Sequence, residues 1–291
     1  GVVEWVESCW SSGWMGSVEK YALPVLGDRL IHTIGTADVL EVITPIWTTK
    51  HETARRLKQR LSTIFDWAKG NGFYPHENPV NGVTKSLPRE KADPEHMAAM
   101  HWRDLPAFMD ALSQREGVSA RTLEFIILTA SRSNEARGAR WEEIDFDEQT
   151  WTVPRNRMKR GKPHRVPLSP EAMVVLDQQR GLDPEYIFPS ATRGKDGKNR
   201  PQSVMVFKAL FKRMGHDGFT THGFRSTFRD WCGDQAMVQR EVAEMALSHA
   251  VGNDVERAYA RSDLFERRRT LMNAWAAYAT GKQGSVTQMV R

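Results

Sequence analysis

The sequence predicts a mainly helical protein with small β elements, arranged as two parts joined by a linker. Three observations carry this expectation. Apolar residues recur at the three-to-four-residue spacing of amphipathic helices along most of the chain. Two short runs, WTVP at 151–154 and HRVPL at 164–168, have the character of strands. Prolines at 75, 79, 88 and 94, set among charged and small residues, read as an interdomain connection. A chain of 291 residues is long enough for about two ordinary domains.

The first part, 1–76, reads as short helices. TADVLEVITPIW offers Thr36 as an N-cap and Val39, Leu40, Ile43 and Ile46 as an apolar stripe. A longer helix is expected from about Thr49 to Lys69, with Ala54, Leu57, Leu61, Ile64, Phe65 and Ala68 at helical spacing and Gly70-Asn71-Gly72 as its stop. The linker is placed at 77–96. In the second part, 97–280, amphipathic helices are expected over 104–115 and 119–132. The two strand-like runs flank NRMKRGKPHR, a hairpin with Gly161 near its tip. Ser169-Pro170-Glu171 pairs an N-cap with proline at the first helical position, opening a helix to about Arg180. Helices follow at about 203–214, 222–234, 238–247, 253–260 and 263–279, and 281–291 is left as a tail.

Composition narrows the function. At 40% hydrophobic and 26% charged, the chain has too much apolar content for wholesale disorder. No apolar stretch approaches the roughly 18 residues of a membrane helix. Cys9 and Cys232 form neither a disulfide framework nor a metal-ligand spacing, which fits a reducing, intracellular compartment. There is no cationic leader at the start and no initiator Met, as expected of a piece of something longer. No phosphate loop, GxGxxG, HExxH or Cys/His cluster is present, so neither nucleotide, metal nor other cofactor is expected. Net charge is +5, and it is unevenly spread. Residues 1–49 carry two Lys or Arg against six Asp or Glu, whereas 50–90 carry eight against four. Arg55, Arg56, Lys58 and Arg60 lie on the polar side of the long helix, which taken alone is most simply a solvated face.

A dispersed set of phosphate-binding residue types stands out in the second part. Arg132 sits where one helix ends and another begins, with Glu135 three residues on to hold its guanidinium. His222 and Arg225, at i and i+3, project from one face of one helical turn. His249 falls at a helix end and Tyr259 near the end of the next. Each has a bland reading by itself: a surface arginine, a helix-capping histidine, a packing tyrosine.

Taken together they resemble the tyrosine recombinase, or phage integrase, family. That pattern is an arginine in a T-G-x-R-x-x-E-like turn, a lysine on a β-hairpin, H-x-x-R, a second histidine, and a tyrosine about ten residues later. Here the counterparts are T-A-S-Arg132-S-N-Glu135, Lys159 in NRMKRGKPHRVPLS, His222-G-F-Arg225, His249 in LSHAVGN and Tyr259 in VERAYARSD. Ala130 stands where the usual glycine precedes the first arginine, and Arg160 and Lys162 share the hairpin with Lys159. KPHRVPLS and ERAYARSDLFERRR look most like integrases of satellite phages and genomic islands, and LPVLGDRLI, VLEVITPIW and TARRLKQRLSTIFDWA are similar to the family's core-binding domain. The resemblance therefore covers nearly the whole chain.

It implies a SAM-like helical core-binding domain followed by an α+β catalytic domain, without the family's further N-terminal arm-binding domain. It implies a cytoplasmic, nucleoid-associated bacterial enzyme of a mobile element that cleaves and rejoins DNA through a 3′-phosphotyrosyl intermediate, with no metal or ATP. The alternatives are a type IB topoisomerase-like activity and a non-catalytic DNA-binding descendant. Arg132 and Arg225 would supply planar, bidentate counter-charge to the phosphate, Tyr259 the nucleophile, His222 the base, Lys159 the general acid, and His249 a phosphate hydrogen bond. Thr53, Arg56, Arg60 and Thr63, opposite the apolar stripe of the long helix, would contact DNA, mostly at phosphates. The expected partners are double-stranded attachment-site DNA, three further copies in a homotetramer, and accessory bending or directionality factors. Leu264, Phe265, Leu271, Met272, Trp275 and Ala276 form a strong apolar stripe near the C-terminus. The resemblance favours its packing on a neighbouring protomer, with docking on its own domain as the alternative.

Overall fold

The computed structural model describes residues 14–88, 99–159, 161–194, 196–216, 218–250 and 262–282. The chain divides into two compact units, 1–94 and 95–291.

The first unit is helical. A short helical segment at 15–26 precedes α1 (Thr36–Trp47), α2 (His51–Gly70) and α3 (Val80–Ser86). Thr36 is the first residue of α1 and not its cap. The Asp38 carboxylate accepts from the Gly35 amide (2.7 Å), while the Thr36 hydroxyl donates to the Pro79 carbonyl (2.9 Å). The stripe of α2 is buried as its spacing predicts, with Ala54, Leu57, Leu61, Phe65 and Ala68 in one core with Val39 and Ile43 of α1, except that Ile64 is only half-buried at its edge. The linker expected over 77–96 needs correction. Residues 80–86 form α3, and Val80, Val83 and Leu87 are buried in this unit's core. Pro79 is the N-cap of that helix, where its missing N–H removes no intrahelical bond.

The second unit is built round α5 (Val118–Thr129), from Leu123 to Thr129 buried on every face. Packed against it are α4 (Leu105–Ser113), α6 (Ser133–Arg137), α7 (Pro170–Asp177), α8 (Met205–Arg213) and α11 (Phe265–Ala279); α9 (Gly223–Asp234) and α10 (Arg240–Ala246) lie between α8 and α11 in the chain. A three-stranded antiparallel sheet runs β1 (Ile144–Asp145), β2 (Thr150–Val153), β3 (His164–Pro167), in that order, with Trp151 opposite Val166 and Val153 opposite His164. The strand β1 escaped the sequence reading, being two residues long. Ser169 caps α7 as expected, its Oγ accepting from the Ala172 amide at 3.2 Å.

The C-terminal helix corrects an expectation. α11 docks on its own unit, not on a neighbouring protomer: Leu271, Met272, Trp275, Ala276 and Ala279 are at most 1% exposed. The Trp275 indole donates to the Ile127 carbonyl of α5 at 2.8 Å and meets Phe228 edge-on. The helix expected at 253–260 lies outside the described residues.

Candidate functional site

The site forms where three chain segments turn. α5 ends at Ala130, whose backbone lies in the left-handed region (φ 48°). The chain then reverses into α6 with Arg132 at its N-cap. Glu135, 2% exposed, accepts from the Arg132 backbone amide through Oε2 (3.0 Å) and from its guanidinium through Oε1 (2.9 Å). One carboxylate therefore caps the helix and aims the arginine.

Arg225 comes from the first turn of α9 and is 5% exposed. Its guanidinium donates to two main-chain carbonyls from other segments, Ala130 through Nη1 (2.5 Å) and Leu247 through Nη2 (2.5 Å). Burial, and next the Arg132 charge, push its pKa down to about 10, so it remains a cation at neutral pH.

His249 is delivered by the end of α10. The His249 amide donates to the Glu244 carbonyl (2.8 Å) and the Ser248 amide to the Met245 carbonyl (3.0 Å), with Ser248 left-handed at φ 52°. These are the two bonds of a Schellman motif. Its Nε2 stands 3.1 Å from Arg225 Nη2, and its Nδ1 2.6 Å from Glu244 Oε2. Burial, and then the charges of Arg225 and Arg132, outweigh the Glu244 hydrogen bond and hold the imidazole below its ordinary pKa.

His222, at the N-terminus of α9, is exposed. Desolvation, followed by the charges of Arg225, Arg132, His249 and Lys159, lowers its pKa, leaving it neutral and able to accept a proton at pH 7. Lys159 is exposed between β2 and β3, close enough for its charge to be felt at His222. Arg225 and His249 thus meet directly, within the field of Arg132, and His222 feels the charges of all three and of Lys159. The arrangement offers fixed positive charge and a neutral imidazole to an incoming phosphate diester. Tyr259 lies outside the described residues, as does Arg160 on the hairpin.

The residues expected to touch DNA in the first unit share one side of α2, with Arg56 and Thr63 exposed and Arg60 half-buried, and three of the four side chains have partners. Glu52 pairs with Arg56 (2.7 Å) and Arg55 (2.9 Å), and these hydrogen bonds, Arg55 first, hold its pKa near 2. Arg60 donates to Ser17 Oγ (2.5 Å) and lies over the Trp14 ring. Thr63 donates to the Gln59 carbonyl, and Thr53 is half-buried.

Sequence reasoning missed Glu244 and His164. Glu244 precedes His249 by five residues, which is not a helical neighbour spacing; the turn at Ser248 brings them together. His164 on β3 is half-buried and hydrogen-bonded to the Ala246 carbonyl, within the field of Arg268, Arg225 and Arg132. Among the described residues no group of three or more His, Cys, Asp and Glu converges as a metal site, and no helix is long and apolar enough to cross a membrane.

Known proteins resemble this chain along both units. The phage integrase central domain matches residues 4–83, and the phage integrase family matches residues 99–264. The chain is 34% identical over 266 residues to the prophage integrase IntA of Escherichia coli K12, covering 89% of this chain and 62% of that protein. It is 31% identical over 282 residues to the integrase of Enterobacteria phage P4, covering 90% and 63%. The chain thus spans just under two thirds of the length of these relatives. The fold is similar to a lambda integrase dimer bound to a COC′ core site (TM-score 0.62, 17% identity, 90% of this chain and 94% of that one). It is also similar to a fragment of the Tn1549 transposon integrase in complex with transposon right end DNA (TM-score 0.60, 14% identity, 94% and 98%).

Proposed function

The chain belongs to the phage integrase family of tyrosine recombinases, and from that premise we propose that it cuts and rejoins DNA at defined sites through a 3′-phosphotyrosyl intermediate. The observation that carries this reading is the junction at Arg225. One buried guanidinium bonds the carbonyl two residues before Arg132, the carbonyl two residues before His249, and His249 itself. Folding therefore assembles a single anion site from residues more than a hundred positions apart in sequence.

The chemistry follows from the residue types. Attack on a phosphodiester adds negative charge to the non-bridging oxygens, and without a metal the guanidiniums of Arg132 and Arg225 must meet it. A phenol with pKa near 10 needs a base, and neutral His222 would take the Tyr259 proton. Phenolate oxygen attacks phosphorus, and the 5′-oxygen of the next nucleotide leaves with a proton from Lys159. The phosphotyrosyl bond conserves the energy of the broken one, so a second 5′-hydroxyl rejoins the strand without ATP.

The DNA partner is a double-stranded attachment site, contacted partly through Thr53, Arg56, Arg60 and Thr63, in the bacterial cytoplasm. A lambda integrase tetramer of similar fold (TM-score 0.62) is known bound to a Holliday junction; a homotetramer on DNA, aided by accessory DNA-bending proteins, is the assembly we propose for this chain.

The test is covalent trapping on a nicked suicide substrate in excess EDTA. Wild-type chain should give an adduct, and Tyr259→Phe none with DNA binding retained. Tyr278→Phe should still give one, because the Tyr278 hydroxyl is engaged with the Trp102 carbonyl at 3.0 Å. An adduct surviving Tyr259→Phe, or a strict magnesium requirement, would reject the reading. Relaxation of plasmids lacking any attachment site would instead mark a topoisomerase-like enzyme.

A further inference from the structure

We infer that Glu244 is a positioning residue for this reaction: its carboxylate fixes the His249 proton on Nδ1, turns Nε2 toward the phosphate site, and supports a second proton there once phosphate arrives. The inference rests on the recombinase reading for its kinetic consequence and on geometry alone for its first half.

The geometry leaves one assignment of protons. A guanidinium has donors only, so at 3.1 Å from Arg225 Nη2 the His249 Nε2 must be the acceptor. The single proton of the neutral ring then sits on Nδ1, facing Glu244 Oε2 at 2.6 Å, a short charge-assisted bond. The pair is held twice, since the Glu244 carbonyl also accepts from the His249 backbone amide. Glu244 is 9% exposed, and its other oxygen lies 2.8 Å from Arg229 Nε, which keeps the carboxylate from rotating away. Burial works against its ionisation, but the His249 hydrogen bond and the Arg229 charge outweigh it, and the pKa is net lowered.

Consider a phosphate oxygen taking the place of His249 as acceptor for Arg225. Nε2 then faces an anion with its own lone pair, a repulsive contact unless a proton from solvent binds Nε2. The charges facing His249 are Arg225 from α9, Arg132 from the start of α6, His222, and Glu244 from α10, with Arg229 behind Glu244. All but Glu244 are cationic or neutral and oppose that proton. Glu244 is the one group here that favours it. With it, His249 becomes an imidazolium donating to a non-bridging oxygen, strongest when charge develops in the transition state.

Two measurements on the full chain test this. Nitrogen NMR on histidine-labelled protein without DNA should report an Nδ1–H tautomer for His249, and a shift toward Nε2–H in Glu244→Gln, whose amide can donate. An Nε2–H tautomer in the wild type overturns the inference. Single-turnover adduct formation should then be followed from about pH 5.5 to 8.5. Losing the imidazolium as pH rises should slow the wild type. In Glu244→Gln the fall should begin at least about one unit lower, with a rate near neutrality reduced on the order of 10²-fold and DNA affinity unchanged. Glu244→Asp should restore the wild-type midpoint. A uniformly slower Gln variant with the wild-type midpoint would assign Glu244 a structural role only and overturn the inference. A wild type that forms no adduct at any pH would overturn the recombinase reading, while the tautomer result would stand.

Discussion

Ala130 and Ser248 hold left-handed backbone, at φ 48° and 52°; the Ala130 carbonyl itself meets Arg225, and Ser248 stands between the Leu247 carbonyl and the His249 ring, which both do. An L-residue in that region costs about 1–2 kcal/mol relative to ordinary backbone. Strain of this kind concentrates where the fold over-determines a functional geometry. The turn at Ala130 points its carbonyl at Arg225 and starts the reversal to Arg132; the turn at Ser248 does the same for the Leu247 carbonyl and His249. Glycine relieves the strain but enlarges the unfolded ensemble by about 0.5–1 kcal/mol. Ala130→Gly and Ser248→Gly should therefore each stabilise the chain by up to about 1 kcal/mol, raising the melting temperature of a unit of this size by roughly 2–4 °C. Calorimetry decides it: a lowered melting temperature for Ala130→Gly would mean that packing of its buried methyl outweighs the strain. The arginine and histidine positions were legible in sequence because each sits in a short local pattern. Glu244 and His164 were not, since their partners are set by a left-handed turn and by strand pairing.

At the scale of elements, the apolar stripe of α11 was plain in the sequence, but a stripe shows that a face is covered and not by which chain. The structure covers it with α5, and Trp275 is its centre. Trp275→Ala should cost about 3–5 kcal/mol, leaving the Ile127 carbonyl without its indole donor and Phe228 without its edge-on partner. Thermal or denaturant unfolding of the free chain checks this; an unchanged midpoint would return the helix to an interface role. The helix α3 was hidden by the neighbouring prolines, whose composition resembles a connection. Only Val80, Val83 and Leu87, spaced for one buried face, distinguish it. The hairpin between β2 and β3 was legible, and it carries Lys159. Lys159→Ala should slow cleavage of ordinary DNA by roughly 10²–10⁴-fold if it is the general acid. A substrate with a 5′-bridging sulfur, whose leaving group needs little protonation, should restore the rate. Equal slowness on both substrates would reduce Lys159 to a phosphate contact and pass the acid role to Lys162.

Over the whole molecule, the sequence shows where charge lies along the chain but not which charges folding shields, and two groups, buried Glu124 and half-buried His164, pull the pH dependence of stability in opposite directions. Glu124 is 4% exposed in the middle of α5, and burial, partly offset by the Arg121 charge, raises its pKa from 4.5 to about 7. Between those values the folded chain holds a proton that the unfolded chain has lost, so stability falls as pH rises. His164 runs the other way. Burial, then the Arg268 charge, lowers its pKa from 6.5 to about 4 against the opposing Ala246 hydrogen bond. Between about 4 and 6.5 the unfolded chain holds the extra proton, and stability rises with pH. At about 1.4 kcal/mol per unit, each slope amounts to roughly 3 kcal/mol, and over pH 4.5 to 6.5 they cancel. Single substitutions should expose them. Glu124→Gln leaves Arg121 bonded to the carbonyls of Leu112, Ser113 and Arg115, and its stability should climb from pH 5 to 6.5 by the His164 slope. His164→Gln should show the reverse, losing stability from pH 5 to 7 by the Glu124 slope. The double variant should be as flat as the wild type. Urea unfolding at half-unit pH steps measures all four. Parallel profiles for the two single variants would show that these side chains do not titrate with folding, and that the balance of charge in the core lies elsewhere.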